Sequence, residues 1–209
     1  MTPRTDDAAP PTLRQRRRDR TRQEIAVAVL DVIAVGGDSA ATIDRVVAAS
    51  GVARGTVYAH FPGGRDELLR AAYAELGARV VERTRAAVDD AGSWTERIAA
   101  HAAPLFALAA DTHLGHFYNV SGPAIVHGGP ERGIGSGASA GMICETLEAA
   151  REAGAVPADT DAHVVAALLV GALREAAIGV ASGALDPDRA AAAFAALVSG
   201  IARAAESRD

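Results

Sequence analysis

The chain has 209 residues, 49% hydrophobic and 22% charged, which is enough for one sizeable core or for a small domain joined to a larger one. Aromatic residues make up only 4%, so a core must be built from Ala, Val, Leu and Ile; Ala-rich runs favour helix, and few alternating apolar–polar runs argue for a sheet. The net charge is −5, all 21 basic residues are arginine, and the single cysteine, Cys144, excludes an intrachain disulfide and suits a reducing cytoplasm.

In chain order, residues 1–12 are polar and proline-rich, with no apolar stretch of the kind a signal peptide needs. Residues 1–19 are expected to form a disordered basic arm. Its arginine run (RQRRRDRTR, residues 14–22) reads equally as a solvated helix start or as a contact to a DNA backbone. A helical stripe of Ile25, Val29, Val32 and Ile33 follows and stops at Gly36-Gly37. Thr42 is placed to cap a short helix from Ile43 to Ser50, with Ile43, Val46 and Val47 inward and Gly51 at its end. A third short helix runs from about Arg54 to His60 and is closed by Pro62-Gly63-Gly64. Asp66 and Glu67 open a fourth helix, where acids suit the positive end of the dipole, and it continues to about Asp89.

Ser93 is expected to cap a helix from Trp94 to Ala110, kinked or broken at Pro104. Residues 111–137 read as irregular, and the glycine-rich run of residues 128–141 as a flexible connection able to act as a lid; it lacks the Gly-Lys-Ser/Thr of a phosphate loop. Ala138–Ala153 reads as helix. Asp159 or Asp161 starts the next helix, to Gly183. Its apolar run from Val164 to Val180 is interrupted by Arg174 and Glu175, which argues against a membrane span. Asp186-Pro187 starts the last helix, to about Ala205. The expected fold is all-α: an N-terminal three-helix domain (residues 20–70), then a larger helical domain (residues 71–209), about nine helices in total.

Charge divides along the same line. Leu13–Arg65 holds nine arginines against five acids, and Ala71–Asp209 ten against seventeen. A basic front on an acidic body points to a polyanionic partner for the front alone. Two short helices around a glycine turn have the helix-turn-helix outline, whose second helix enters the major groove. Val46, Val47, Val52, Val57 and Phe61 would face the core, leaving Arg54, Thr56, Tyr58, Ala59 and His60 on other faces. Arginine suits guanine O6 and N7, Thr and Ala methyls suit the thymine methyl, and Tyr and His suit phosphate oxygens. Gly55 would allow close approach of the helix start to DNA. Tyr58 has a plain alternative as a packing residue against the first helix.

The runs TRQEIAVAVLDVI (residues 21–33), ATIDRVVAASGVARGTVYAHF (41–61) and DELL (66–69) together resemble the DNA-binding domain of TetR-family transcriptional regulators. The resemblance covers roughly residues 20–70; the remaining two thirds carry no motif. It implies that Thr42 caps the second helix and lays its amide on a phosphate, that Arg54, Gly55, Thr56 and Ala59 face bases, that Tyr58 and His60 contact phosphates, and that Arg22 sits near the backbone at the start of the first helix. Two departures stand out. Ala53 occupies the cap position where the family often has Ser or Thr, and Arg65, after one extra residue, takes the place of the usual Lys.

Weaker signals lie downstream. His101, His113, His116 and His127 are close in sequence, and His113 and His116 could share a helix face, but surface or pocket polarity is the plainer reading. Cys144 has no partner pattern nearby, so no metal and no cofactor are expected. The segment HLGHFYN, residues 113–119, mixes aromatic and hydrogen-bonding groups as a pocket does. The expected pocket set is Phe106, His113, His116, Phe117, Tyr118, Met142 and Arg174. Small residues on the last two helices permit close packing, and the expected dimer surface is Leu168, Gly171, Ala172, Ile178, Phe194, Leu197 and Ile201. With the resemblance, these features imply a cytoplasmic homodimer, most simply a repressor, released from a palindromic operator in double-stranded DNA by a largely apolar small molecule, with no membrane partner. Two alternatives stand beside it: a DNA-binding activator or architectural protein without an inducer, and an all-helical metal-dependent enzyme using the histidine-rich region.

Overall fold

The computed structural model describes residues 12–126 and 133–206, and every regular element among these is helical. Helix α1 (Leu13–Gly36) begins well before the apolar stripe. The arginine run expected as a disordered arm is therefore, from residue 13 onward, the first turns of a helix. Arginine is a good helix former, and Thr12 and Gln15 make a capping box: the Thr12 hydroxyl accepts from the Gln15 amide at 3.2 Å, and the Thr12 amide donates to Gln15 Oε1 at 2.7 Å. Residues 1–11 of the arm lie outside the described residues.

A 3-10 turn, Asp38–Ala40, leads to α2 (Ile43–Ser50), capped by Thr42, whose hydroxyl accepts from the Arg45 amide. Gly51, at φ 67°, turns the chain in the left-handed region that side chains resist. Helix α3 (Arg54–His60) follows, with no side-chain cap at Ala53. Ile25, Val29, Ile33, Val46, Val57, Phe61, Leu68 and Leu69 are buried together. Each such side chain contributes roughly 1.5–3 kcal/mol of burial, so these short helices are held by their shared core more than by propensity.

Helix α4 (Gly64–Asp89) runs unbroken past residue 70. Its first half completes the N-terminal core. The same core takes in Leu108, Phe117 and Tyr118 from the C-terminal domain, so the two domains are packed together along α4.

The expected single helix from Trp94 to Ala110 is two: α5 (Trp94–Ala99) and α6 (Ala102–Ala109). The break falls before Pro104 because its ring opposes the carbonyl four residues earlier, that of Ala100; Pro104 then sits in the first turn of α6, where its missing N–H costs nothing. The region expected to be irregular is largely helical too: α7 (Leu114–His116), a π-helical turn (Phe117–Ser121) and α8 (Gly122–Ile125). Only glycine fits at 115, where a Cβ would lie 2.4 Å from the Ala109 carbonyl oxygen. Helix α9 (Ile134–Glu152) starts four residues earlier than expected and absorbs the end of the glycine-rich run; residues 127–132, including His127, lie outside the described residues. Glycine suits that start because the Tyr118 hydroxyl closes over Gly135, where a Cβ would lie 2.5 Å from it.

Helices α10 (Ala162–Ala181) and α11 (Pro187–Glu206) finish the chain, with Asp161 capping α10. Ile98, Phe106, Ile143, Leu147, Leu169, Leu173, Phe194 and Val198 fill the second core. By length and a mean hydropathy of 1.9, α10 would pass as a membrane span, yet it packs along α9 and α6 here.

Candidate nucleic-acid interface and ligand cavity

Helix α3 presents Arg54, Gly55, Thr56, Tyr58 and Ala59 to solvent while Val57 and Phe61 anchor it from below. A Cβ at Gly55 would meet nothing within 4 Å, so no packing inside this chain requires glycine there. In the free chain Arg54 is paired with Asp44 of α2, and its guanidinium lies 5.9 Å from the centre of the Tyr58 ring. Tyr58 first, and Asp44 next, favour the charged guanidinium and raise its pKa further. Tyr58 is 42% exposed and so does not pack against α1 as a core residue would. His60 is half-buried, and its Nδ1 is enclosed without a partner.

Two arginines expected at the DNA backbone are engaged within the domain. Arg22 does not project from the start of α1. It donates to the His60 carbonyl and to Glu67 at 3.2 Å, and its guanidinium lies 4.2 Å from the centre of the Phe61 ring. One side chain thus ties α1, the end of α3 and the start of α4, and closes a carbonyl that the last turn of α3 leaves unpaired. This compensates for the uncapped N-terminus at Ala53 by holding the other end. Arg65, exposed, donates to the Asp38 carbonyl at 2.7 Å and pins α4 to the turn after α1. We expect Arg22→Ala to destabilise the protein by about 1–3 kcal/mol, a range that allows for its partial exposure. Binding to all DNA sequences should weaken without a change in salt dependence. An unchanged melting temperature with a salt slope reduced by about one would return Arg22 to the phosphates.

Helix α4 and helices that follow it line a cavity of about 240 Å³ that opens to solvent beside the exposed Arg174 and Ile178. Tyr73, Val80 and Thr84 of α4 form one wall; His101, Leu105, Tyr118 and Asn119 another; Leu173, Arg174 and Ile178 of α10 a third; and Ser136 and Ser139 lie at the α9 side. Tyr73 and Tyr118 stack with ring centres 4.9 Å apart. Burial raises the pKa of both phenols; Tyr73 adds to the rise at Tyr118, while the Arg174 charge opposes it at Tyr73. Both therefore remain neutral hydroxyls. His101 is 3% exposed, burial pushes its pKa down to about 4, and its Nδ1 has no partner. Arg174 is the one formal charge among the described lining residues.

Of the expected pocket residues, Tyr118 and Arg174 line this cavity. Phe106 and Phe117 do not; they are buried in the cores, as large aromatics in an Ala-rich chain commonly are. His113 lies against Gly37 at the turn after α1, and His116 is exposed. Met142 lines a separate, more open concavity of about 530 Å³ with Trp94 and Arg97, whose other lining includes the charged Arg85, Asp89 and Glu145. Tyr73 and Thr84 line it without a signal in the sequence, and His101, one of the histidines read as surface or pocket polarity, lines it too. The α4 pair reads as ordinary helix interior, and only tertiary packing turns one side of α4 toward a void.

On the outer face of α10 and α11, Leu168 is 69% and Leu197 51% exposed, with Gly171 beside them on α10; Ile178, expected on that surface, stands at the cavity rim. Ala172 and Ile201 are half-buried. Phe194, expected at that surface, is instead 5% exposed and packs in the second core, because it points inward to Val198 and Ile98. Cys144, which has no partner pattern near it in the sequence, lies in the fold beside Glu148 and His163, the latter brought from α10.

Residues 25–72 match the sequence model of the family described as bacterial regulatory proteins, tetR family. No curated protein matches the chain. The whole fold is similar to a TetR-family transcriptional regulator from Pectobacterium atrosepticum, at 22% identity and a TM-score of 0.72 over 88% of this chain and 93% of that one. It is similar also to a TetR transcriptional regulator from Chloroflexus aurantiacus J-10-FL (20% identity, TM-score 0.64, 88% and 96% covered). A third likeness is the transcriptional regulator FadR from Bacillus subtilis in complex with stearoyl-CoA (17% identity, TM-score 0.66, 84% and 96% covered).

Proposed function

Because the chain carries the DNA-binding domain of the tetR family of bacterial regulatory proteins, we propose that it is a cytoplasmic homodimeric repressor, released from a palindromic operator by a small molecule. The cavity carries this reading. A DNA-binding protein without an inducer needs no such void, and here one wall of it is the helix that also completes the DNA-binding core. The apolar outer face of α10 and α11, with Leu168 and Leu197 exposed, supports a two-fold mate. A dimer would set two α3 helices on successive major-groove half-sites.

On DNA, Arg54 would exchange Asp44 for a base edge, Thr56 and Ala59 would meet methyl groups, and Thr42, Tyr58 and His60 would hold phosphates. The effector class follows from the lining: a compact, mostly apolar molecule with one anionic or strongly accepting group for Arg174 and a donor for His101. At about 240 Å³ the cavity falls just below the ~300–1,000 Å³ usual for drug-sized ligands. The FadR of similar fold is in complex with stearoyl-CoA, which supports a place for an acyl or other apolar ligand in this fold. The coupling is a population shift: an effector that fits one spacing of the Tyr73–Tyr118 wall favours one setting of α4, and so one separation of the two α3 helices.

The test is mapping of the DNA bound in cells, followed by operator release in vitro with metabolites of the neighbouring genes. We expect Arg174→Leu to raise the effector concentration for half-release by at least about tenfold, one charge-assisted contact, with operator affinity in its absence unchanged. Release that is identical in the variant removes Arg174 from the effector site. Operator binding that no small molecule alters removes the inducer.

A further inference from the structure

Cys144 and Glu148 stand one helical turn apart on the same face of α9. His163, second residue of α10, is brought against them from nineteen residues downstream. Cys144 Sγ lies 3.5 Å from His163 Nδ1 and 3.8 Å from Glu148 Oε1, and all three ligand atoms lie within 4.8 Å of one another. Ligands on a tetrahedral zinc, with Zn–S near 2.3 Å and Zn–N or Zn–O near 2.1 Å, stand about 3.6 Å apart. Both measured sulfur separations come within a few tenths of an ångström of that edge. The nearby cation, Arg151, is directed to the Thr160 carbonyl at 3.3 Å. Cys144 is buried, Glu148 half-buried and His163 exposed, so the cluster has a floor and an entrance.

We propose that Cys144, Glu148 and His163 form a binding site for a zinc-type divalent cation that clips α9 to the first turn of α10. The donor set selects the metal class. Thiolate and imidazole disfavour calcium and magnesium, which take oxygen ligands, and three protein ligands leave a fourth position for water. The thiol gives up its proton to solvent as the metal–sulfur bond forms. The site is separate from the cavity, none of its residues lining it, so its test does not depend on the effector.

The experiment is titration of the chelator-treated full chain with cobalt(II), then displacement by zinc(II). The expected result is one equivalent bound, with thiolate-to-cobalt charge-transfer absorption and tetrahedral d–d bands. His163→Gln and Cys144→Ser should each weaken binding by at least about tenfold, since loss even of an outer-shell partner commonly costs 10–100-fold. Cys144→Ser should also abolish the charge-transfer band. A His113→Gln/His116→Gln double variant should bind as the parent does. Zinc should raise the melting temperature of the parent and not that of His163→Gln, a substitution at an exposed position that keeps the test available if Cys144→Ser fails to fold. No saturable binding, cobalt spectra without a thiolate band, or affinity unchanged in His163→Gln would overturn the proposal.

Discussion

Arg54→Ala is expected to weaken operator binding by roughly 5- to 150-fold and to relax base preference at one position of each half-site, the loss of a bidentate guanine contact worth about 1–3 kcal/mol. Stability should change little, because the side chain is exposed and its pair with Asp44 is a surface pair, worth about 0–1 kcal/mol. That pair also sets the sign of a control. In the free chain Arg54 is held on Asp44, so Asp44→Asn should leave operator affinity equal or tighter while Arg54→Ala lowers it. His60→Ala, by contrast, should weaken binding to every sequence alike. If Arg54→Ala binds the operator and a scrambled duplex with the parent's ratio of affinities, Arg54 does not read a base.

Stability is expected to fall steeply on mild acidification because of His101. Its ordinary pKa near 6.5 is pushed down to about 4 by burial, and no hydrogen-bond partner compensates at Nδ1. Between those values the unfolded chain takes up a proton that the folded chain refuses, so folding is favoured fully above about pH 6.5 and loses ground as pH falls toward 4. Two and a half pKa units amount to about 3 kcal/mol in all. Denaturant unfolding at pH 7 and pH 4.5 measures it. In His101→Gln the same acidification should cost markedly less, and superimposable pH profiles for parent and variant would refute the assignment. An effector that donates a hydrogen bond to Nδ1 fixes the neutral imidazole, so acid should also weaken effector binding only where His101 takes up its proton.

The N-terminal domain was readable from the sequence because its signals are local. The Thr42 cap, the Gly51 turn and the spacing of Val46, Val57 and Phe61 each act within a few residues, and the structure keeps all of them. The long helices further along were legible for the same reason, while the short ones over residues 114–125 and the boundaries were not. Pro104 signals a break, but only the clash with the carbonyl of Ala100 says that the break comes ahead of it. Gly135 looks like part of a loop until Tyr118 closes over it.

By itself, the sequence determined an all-helical chain, a basic helix-turn-helix front on an acidic body, and which face of α3 stays outside the core. These are matters of period, charge and capping, all carried by neighbours in sequence. Tertiary structure alone decided the rest, because it depends on residues far apart in the chain. It drew Arg22 inward onto Phe61 and Glu67, and turned Phe194 into the core. It opened a cavity between Tyr73, His101 and Arg174, and brought His163 to Cys144. A void and a ligand cluster are properties of how helices cross, and no single helix records in its own sequence what its neighbour will bring.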